Sequence, residues 1–230
     1  MTTLLVAHGT RSAAGVAGIS ELAAAVSANS AGPVQLAFVD VLGPHPTQVL
    51  AGLGDHPVVL VPLFLSSGYH VRVDVPAAVT DSAHSRVTVT RALGPSPELA
   101  RAMLDRLLGA GWRPGDAVVL AAAGTSDRHA QGDVRAAAAM LSALVGSRVR
   151  IAFAAPSRGG GGYPPVAEVV RQARIGGRRV AVASYLLAEG LFQQRLRECG
   201  ADVVAEPLGI HPAVVRLIAR RRGEAVLVAA

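Results

Sequence analysis

A chain of 230 residues is long enough for one large domain or two small ones, and for a proper core in either case. Its net charge of +6 comes from 22 basic and 16 acidic residues, and every basic residue is arginine, because the chain has no lysine. The missing lysine excludes P-loop nucleotide chemistry and Schiff-base catalysis, while 3% aromatic content and scattered arginines argue against a nucleic-acid partner.

Along the chain, short apolar runs alternate with longer alanine-rich segments, the pattern of βα units on a parallel sheet. The first half predicts strands at Thr3 to Ala7, Val34 to Val39, Val58 to Phe64 and Val87 to Arg91. Helices are predicted between and after them, over Ala13 to Asn29, Thr47 to Gly54, Val75 to Ala83 and Pro97 to Ala110. Pro76 after Asp74, and Pro97 after Ser96, read as a cap residue followed by proline at a helix start. A turn-rich joint, Gly111-Trp112-Arg113-Pro114-Gly115, follows.

Beyond the joint the same order recurs, with strands predicted at Ala117 to Ala123, Val149 to Ala154, Val180 to Leu186 and Asp202 to Ala205. Val34-Gln35-Leu36-Ala37-Phe38 matches Val149-Arg150-Ile151-Ala152-Phe153, and Leu93-Gly94-Pro95-Ser96-Pro97 matches Leu208-Gly209-Ile210-His211-Pro212 at the same spacing. The chain therefore reads as an α/β protein of two tandem, duplicated, doubly wound (flavodoxin-like) domains, residues 1–112 and 113–230, with parallel sheets and a cleft between them. Extra residues of the second copy fall at Gly159 to Gly162, and Ser157 to Pro165 is expected to be a flap over the cleft.

One cysteine, Cys199, cannot form an internal disulfide, so a reducing cytoplasm is the expected setting. The apolar stretch Leu4 to Ala7 has no basic segment before it and ends at a histidine, unlike a signal peptide. Mean hydropathy is +0.40, yet runs such as Ala117 to Ala123 fall well short of the roughly 20 residues of a spanning helix, and no membrane partner is expected.

Ligands of a parallel α/β sheet bind beyond the carboxyl ends of the strands. Three residues of the first half stand there: His8 after the first strand, Asp40 after the second and His70 after the third. In a 2-1-3-4 strand order the first and third strands are neighbours about 4.8 Å apart, so the two imidazoles can converge on one divalent metal or take protons from a substrate. In isolation each has a plainer reading, the histidines as loop residues and Asp40 as a turn cap. In the second half Ala123 stands in the place of His8 and Phe192 in that of His70, which predicts a single site, built on the first domain and facing the second.

Leu4-Leu5-Val6-Ala7-His8-Gly9-Thr10-Arg11, the strand end Ala37-Phe38-Val39-Asp40 with Pro46 beyond it, and Gly68-Tyr69-His70-Val71-Arg72-Val73-Asp74-Val75-Pro76 together resemble the CbiX-type sirohydrochlorin chelatases. The resemblance spans the whole chain, since long members of that family are also tandem duplications with the histidine pair in the first half. It implies a lyase that inserts Co²⁺ or Fe²⁺ into sirohydrochlorin without ATP, in cobalamin or siroheme biosynthesis. It also implies His8 and His70 as metal-binding and catalytic residues and no cofactor beyond the metal substrate. Asp40 falls where many members carry glutamate, with a role as proton acceptor or transient ligand. Arg11, Arg72, Arg128 and Arg158 are candidates for the substrate's carboxylates, each also readable as a solvated surface charge.

Asp74 either orients His70 or caps the helix opening at Pro76, and the cap is favoured. His45 and His56 read as exposed turn residues beside prolines, while His84, His129 and His211 lack a partner at metal-ligand spacing. Of these five, His45 is the first to test, because its loop joins the same sheet edge. Two rival functions stay open: a non-catalytic carrier of tetrapyrrole or metal, and a phosphate- or nucleotide-binding α/β enzyme. A monomer is expected, with a homodimer as the alternative, because the duplication supplies both sides of the cleft.

Overall fold

A computed structural model describes residues 1–156 and 162–229. The first half contains β1 (Thr2–Ala7), α1 (Ala13–Ala28), β2 (Val34–Phe38), α2 (Pro46–Gly52), β3 (Val58–Pro62), α3 (Val75–Asp81), β4 (Val87–Val89) and α4 (Pro97–Gly109). The second contains β5 (Ala117–Ala122), α5 (Arg128–Val145), β6 (Arg150–Phe153), α6 (Val166–Ala173), β7 (Val180–Tyr185), α7 (Leu191–Arg197), β8 (Val203–Val204) and α8 (Pro212–Ala229). Most observed ends lie within a residue or two of the predicted ones. β3 and β4 stop earlier than expected, because the chain leaves the sheet to build loops at its edge.

The strands form two parallel four-stranded sheets, ordered β2-β1-β3-β4 and β6-β5-β7-β8, as the doubly wound reading requires. Their registers repeat: Leu4 faces Gln35 in the first sheet and Val119 faces Arg150 in the second, as the sequence alignment pairs them. Local chemistry starts the helices. The Ser12 hydroxyl accepts from Gly15 N–H to cap α1, and Ser96 accepts from Leu99 N–H ahead of Pro97 to cap α4. His45 is a correction to the turn reading. Its Nδ1 accepts from Thr47 N–H while Gln48 reaches back to the His45 N–H, so it closes the N-terminus of α2 rather than facing the site.

A parallel sheet needs cover on both faces, and residue alternation along the strands supplies two apolar faces per sheet. Leu4, Val6 and Leu60 belong to an outer cluster with Leu50 of α2 and Val75 of α3. Val119, Val180 and Val182 pack with Val169 of α6 and Leu196 of α7 in the equivalent outer layer. The opposite faces, with Leu5, Val59, Leu120 and Ala183, share one core with side chains of α1, α4, α5 and α8.

Within that core the last helix of each half crosses over. α4 packs on α5 and β7 of the second half, and α8 packs on α1, β3 and β4 of the first. The sheets thus divide where the sequence does, while the interior does not. Leu107 on α4 is fully buried in this shared core. Leu107→Ala is therefore expected to cost about 2–5 kcal/mol and to lower one common urea transition, seen alike by far-UV circular dichroism and Trp112 fluorescence. Two separated transitions would show halves that unfold independently. Among the described residues no helix is long and apolar enough to cross a membrane.

Candidate functional site

The carboxyl ends of both sheets open toward each other, and two adjoining cavities of about 520 and 640 Å³ lie between them. His8, Leu63, Ala123, Leu186, Leu187 and Phe192 line both, so His8 stands where the two meet. The floor is apolar. Polar groups in the first cavity include Ser66, His70, Thr125, Ser126 and Asp127, and in the second Thr10, Arg11, Glu189 and Gln194.

His8 is delivered by the end of β1 and is held by the residue after it. Gly9 has φ +102°, and a Cβ there would lie 2.0 Å from the Asp40 carbonyl oxygen. The close approach permits the hydrogen bond from Asp40 N–H to the His8 carbonyl at 3.0 Å, which fastens the strand ends together. Gly124 repeats the arrangement in the second half, with φ +123° and the Ala155 carbonyl at 2.0 Å. The turn was kept in both copies, while the imidazole is present in one.

His70 stands on an element that the periodicity does not reveal. Residues His70–Asp74 form a π-helical turn of 5 residues running directly into α3, and π turns recur at functional sites. α3 and α7 are 7 residues each, and α7 opens at Gly190 with no π turn ahead of it. Phe192, aligned with His70 by sequence, is the second residue of α7 and lines both cavities, so an apolar ring faces the cleft from the second half.

The rings of His8 and His70 lie 4.4 Å apart, centroid to centroid, nearly perpendicular at 81°. His70 is further held by Phe64, stacked at 5.9 Å. Its Nδ1 bonds the Asp74 carboxylate at 2.5 Å. A carboxylate accepts, so Nδ1 carries the hydrogen, which in the neutral ring makes Nε2 the nitrogen with the lone pair. This corrects the reading of Asp74 as a cap. Its backbone is already helical (φ −69°, ψ −41°) and makes no side-chain cap bond, because the π turn removes the helix start that a cap would serve. The signal that finds it is the i, i+4 spacing of His70 and Asp74.

Asp40 is brought beside His8 by its backbone but not by its side chain. It is exposed, lines neither cavity, and its Oδ1 accepts from Val41 N–H at 2.7 Å in a turn where Val41 has φ 67°. Among the described residues no group of three or more His, Cys, Asp or Glu is arranged to hold a metal ion. What the fold assembles is an imidazole pair with open positions around it, suited to transient rather than permanent coordination.

The arginines divide. Arg11 lines the second cavity, and among the described residues no carboxylate pairs with it. Glu189 in the same wall is occupied by Arg197 through two hydrogen bonds of 2.6 and 2.9 Å. Those bonds, against the opposing effect of burial, hold the Glu189 carboxyl below its ordinary range. Arg72 is not free for a ligand in this state, because it pairs with Asp127 across the cleft. Burial pushes the Asp127 carboxyl up, but Ala130 N–H, His129 N–H and Arg72 outweigh it and hold the group below the usual range. Arg128 is exposed at the start of α5 and lines neither cavity. Arg158, and Ser157 to Gly161 of the expected flap, lie outside the described residues.

The other histidines play local roles. His84 accepts from Arg86 N–H, His211 accepts from Ala213 N–H at the start of α8, and His56 and His129 are exposed. Residues that sequence reasoning missed are Phe64, Tyr185 and Asp133, which support the chain leading to His70.

The CbiX family profile matches this chain twice, over residues 2–110 and 117–225. No curated protein matches it in sequence. Among solved structures it is similar to SirB from Bacillus subtilis with Fe3+, at 22% identity and TM-score 0.81, covering 97% of this chain and 94% of that one. It is similar also to the sirohydrochlorin chelatase SirB from Bacillus subtilis subspecies spizizenii in complex with cobalt, at 20% identity and TM-score 0.75, covering 98% and 95%. A third is CbiX, the terminal enzyme for biosynthesis of siroheme in denitrifying bacteria, at 20% identity and TM-score 0.72, covering 98% and 99%. At these identities the structural likeness is one of fold.

Proposed function

The chain belongs to the CbiX family, and from that premise we propose that it inserts a divalent first-row metal ion, cobalt or iron, into sirohydrochlorin. The observation that carries the reading is the His8–His70 pair, two rings 4.4 Å apart, His8 at the junction of the two cavities between the sheets and His70 in the wall of the first. SirB proteins of this fold carry Fe3+ or cobalt, and divalent first-row ions such as Co²⁺ and Fe²⁺ suit two neutral imidazoles.

Metallation must strip water from the cation, hold it over the ring and remove the pyrrole protons. Two protein nitrogens orient the ion without enclosing it, so the ring nitrogens win it in the end. The Asp74 bond presents His70 through Nε2 and adds electron density to the imidazole. A ring nitrogen released from the ion becomes the acceptor for a pyrrole proton, a role that both histidines can fill. Among the described candidates, Arg11 is the arginine left in the cleft to meet a substrate carboxylate, since Arg72 pairs with Asp127 and Arg128 lines neither cavity, while Glu189 beside Arg11 is held by Arg197. Asp40 contributes its backbone, which fixes the end of β1, rather than its carboxylate.

The metal is substrate here, and no resident cofactor is required. One chain supplies both faces of the cleft, so a monomer suffices. A buried, unpaired Cys199 is compatible with a reducing cytoplasm.

Turnover tests the reading. Purified protein given sirohydrochlorin and Co²⁺ or Fe²⁺ is expected to yield many metallated products per chain, followed by visible absorbance. A single equivalent would identify a carrier, and no metallation would overturn the proposal. Comparing Co²⁺, Fe²⁺ and Ni²⁺ on one substrate ranks the metals. Asp74→Ala is expected to raise the KM for metal about tenfold and leave that for the tetrapyrrole unchanged. Asp74→Asn, which keeps an acceptor oxygen, is expected to recover most of the loss.

A further inference from the structure

The second half has no histidine in the cleft, yet it is tied to the segment that carries one. The chain between β3 and the helical residues at Tyr69 and His70, from Leu63 to Gly68, lines one wall of the first cavity and has no regular secondary structure of its own to stiffen it. Two side chains of the second half grip it. Tyr185, the last residue of β7, donates its hydroxyl to the Leu65 carbonyl at 2.7 Å. Asp133, on α5, accepts from the Ser67 N–H at 2.7 Å. These bonds bracket Ser66, a few residues ahead of His70. The pair formed by Arg72 and Asp127 adds a third connection just past it.

The Tyr185 grip is built in, not incidental. The ring is buried at 2% exposure. A Cβ at Gly94 would lie 2.2 Å from the Leu65 oxygen and 2.4 Å from the Tyr185 hydroxyl, so only glycine leaves room for this bond. Gly94 N–H also donates to the Phe64 carbonyl at 3.2 Å, holding the strip from the sheet side. Burial, with the Asp133 charge nearby, pushes the Tyr185 phenol well above its ordinary value, so it stays a donor.

We propose that Tyr185 and Asp133 are positioning residues for metal binding, the half that brings no histidine to the cleft acting as the anchor that sets the distance of His70 from His8. The inference rests on the metal-site reading above. It gives the duplicated half a task other than forming a wall: it fixes at Leu65 and Ser67 a segment that leaves the first sheet and that the first half itself ties only at its start, through Leu63 N–H and the Phe64 carbonyl. Supports of this kind set how well a metal ligand is presented.

Titration with Co²⁺ alone, read by its visible ligand-field bands, tests the anchor without any tetrapyrrole. The variants are Tyr185→Phe, which removes one hydroxyl, Asp133→Asn, which keeps an acceptor, and the double variant Tyr185→Phe/Asp133→Ala. The double variant is expected to weaken Co²⁺ binding about tenfold or more and to raise the KM for metal, with the KM for sirohydrochlorin near that of the parent. Tyr185→Phe alone is expected to show the same shift at smaller size, and Asp133→Asn to lie close to the parent. Should the double variant fail to fold, Tyr185→Phe decides: parental binding by that protein overturns the proposal. A parent that binds Co²⁺ with bands unchanged in every variant overturns the anchor and leaves the metal site standing. A parent with no Co²⁺ bands overturns both.

Discussion

Replacing His8 or His70 by alanine is expected to lower the rate of sirohydrochlorin metallation by about 10²–10⁴-fold, the range for loss of a positioned proton-transfer group. On the proposed function each imidazole is one of two nitrogens that the described residues offer to the ion, so either change alone is expected to remove most of the effect and the double change to add little. Stability should move little. His8 is exposed and His70 is only half-buried, and neither belongs to an apolar cluster. At His8 the change stays within about ±0.5 kcal/mol, and at His70 the lost Asp74 bond costs about 0.5–1.5 kcal/mol. A thermal melt alongside the absorbance assay separates the two effects. An alanine variant at His8 that metallates at the parental rate would overturn the site, and one that unfolds would show the imidazole to be structural.

Gly9→Ala is expected to cost about 1–3 kcal/mol of stability through backbone strain alone, with the clash against the Asp40 carbonyl in addition. The residue sits at φ +102°, and its new Cβ would fall 2.0 Å from that oxygen. Relief requires the end of β1 to part from the end of β2, which breaks the bond between Asp40 N–H and the His8 carbonyl and moves His8. Gly124→Ala meets the same geometry, with the Ala155 carbonyl at 2.0 Å. The pair is a controlled comparison. Both variants should lose similar stability in urea, while at a temperature where both are folded Gly9→Ala should lose far more activity. The residue before Gly124 is Ala123, which brings no imidazole to the cleft. Equal activity losses would mean that the turn matters for folding and not for aiming His8.

The fold and the pair of histidines are legible in the order of the amino acids. A βα pattern repeated at residue level, with Ser96-Pro97 and similar helix starts, yields two sheets of 2-1-3-4 order, and strand ends on such sheets are where ligands bind. His8 and His70 stand at those ends. Asp40 stands at one too, and there the same reasoning fails. Its position is right, but its carboxylate accepts from the neighbouring Val41 N–H and lines neither cavity. Asp74 fails in the opposite direction. Proline after a cap residue reads as a helix start, and the π turn carries the helix back past it, placing the carboxylate on His70 instead. The four arginines share one description in sequence. Partners separate them, Asp127 taking Arg72 while Arg11 faces the cavity.

Duplication, strand order, helix caps and the location of chemistry at the strand ends follow from the sequence by itself, because they depend on short-range periodicity and on turns of a few residues. The crossing of α4 and α8, the single core, and the grip of Tyr185 and Asp133 on the His70 segment arise only on tertiary packing. The two grips join residues 66 and 120 positions apart, the crossing helices pack on the other half of the chain, and the two halves carry nearly the same local pattern. Nothing local distinguishes a helix that covers its own sheet from one that covers its twin's. That choice falls to the apolar faces that remain uncovered when both sheets have formed, and closing them against each other makes the cleft in which the two imidazoles meet.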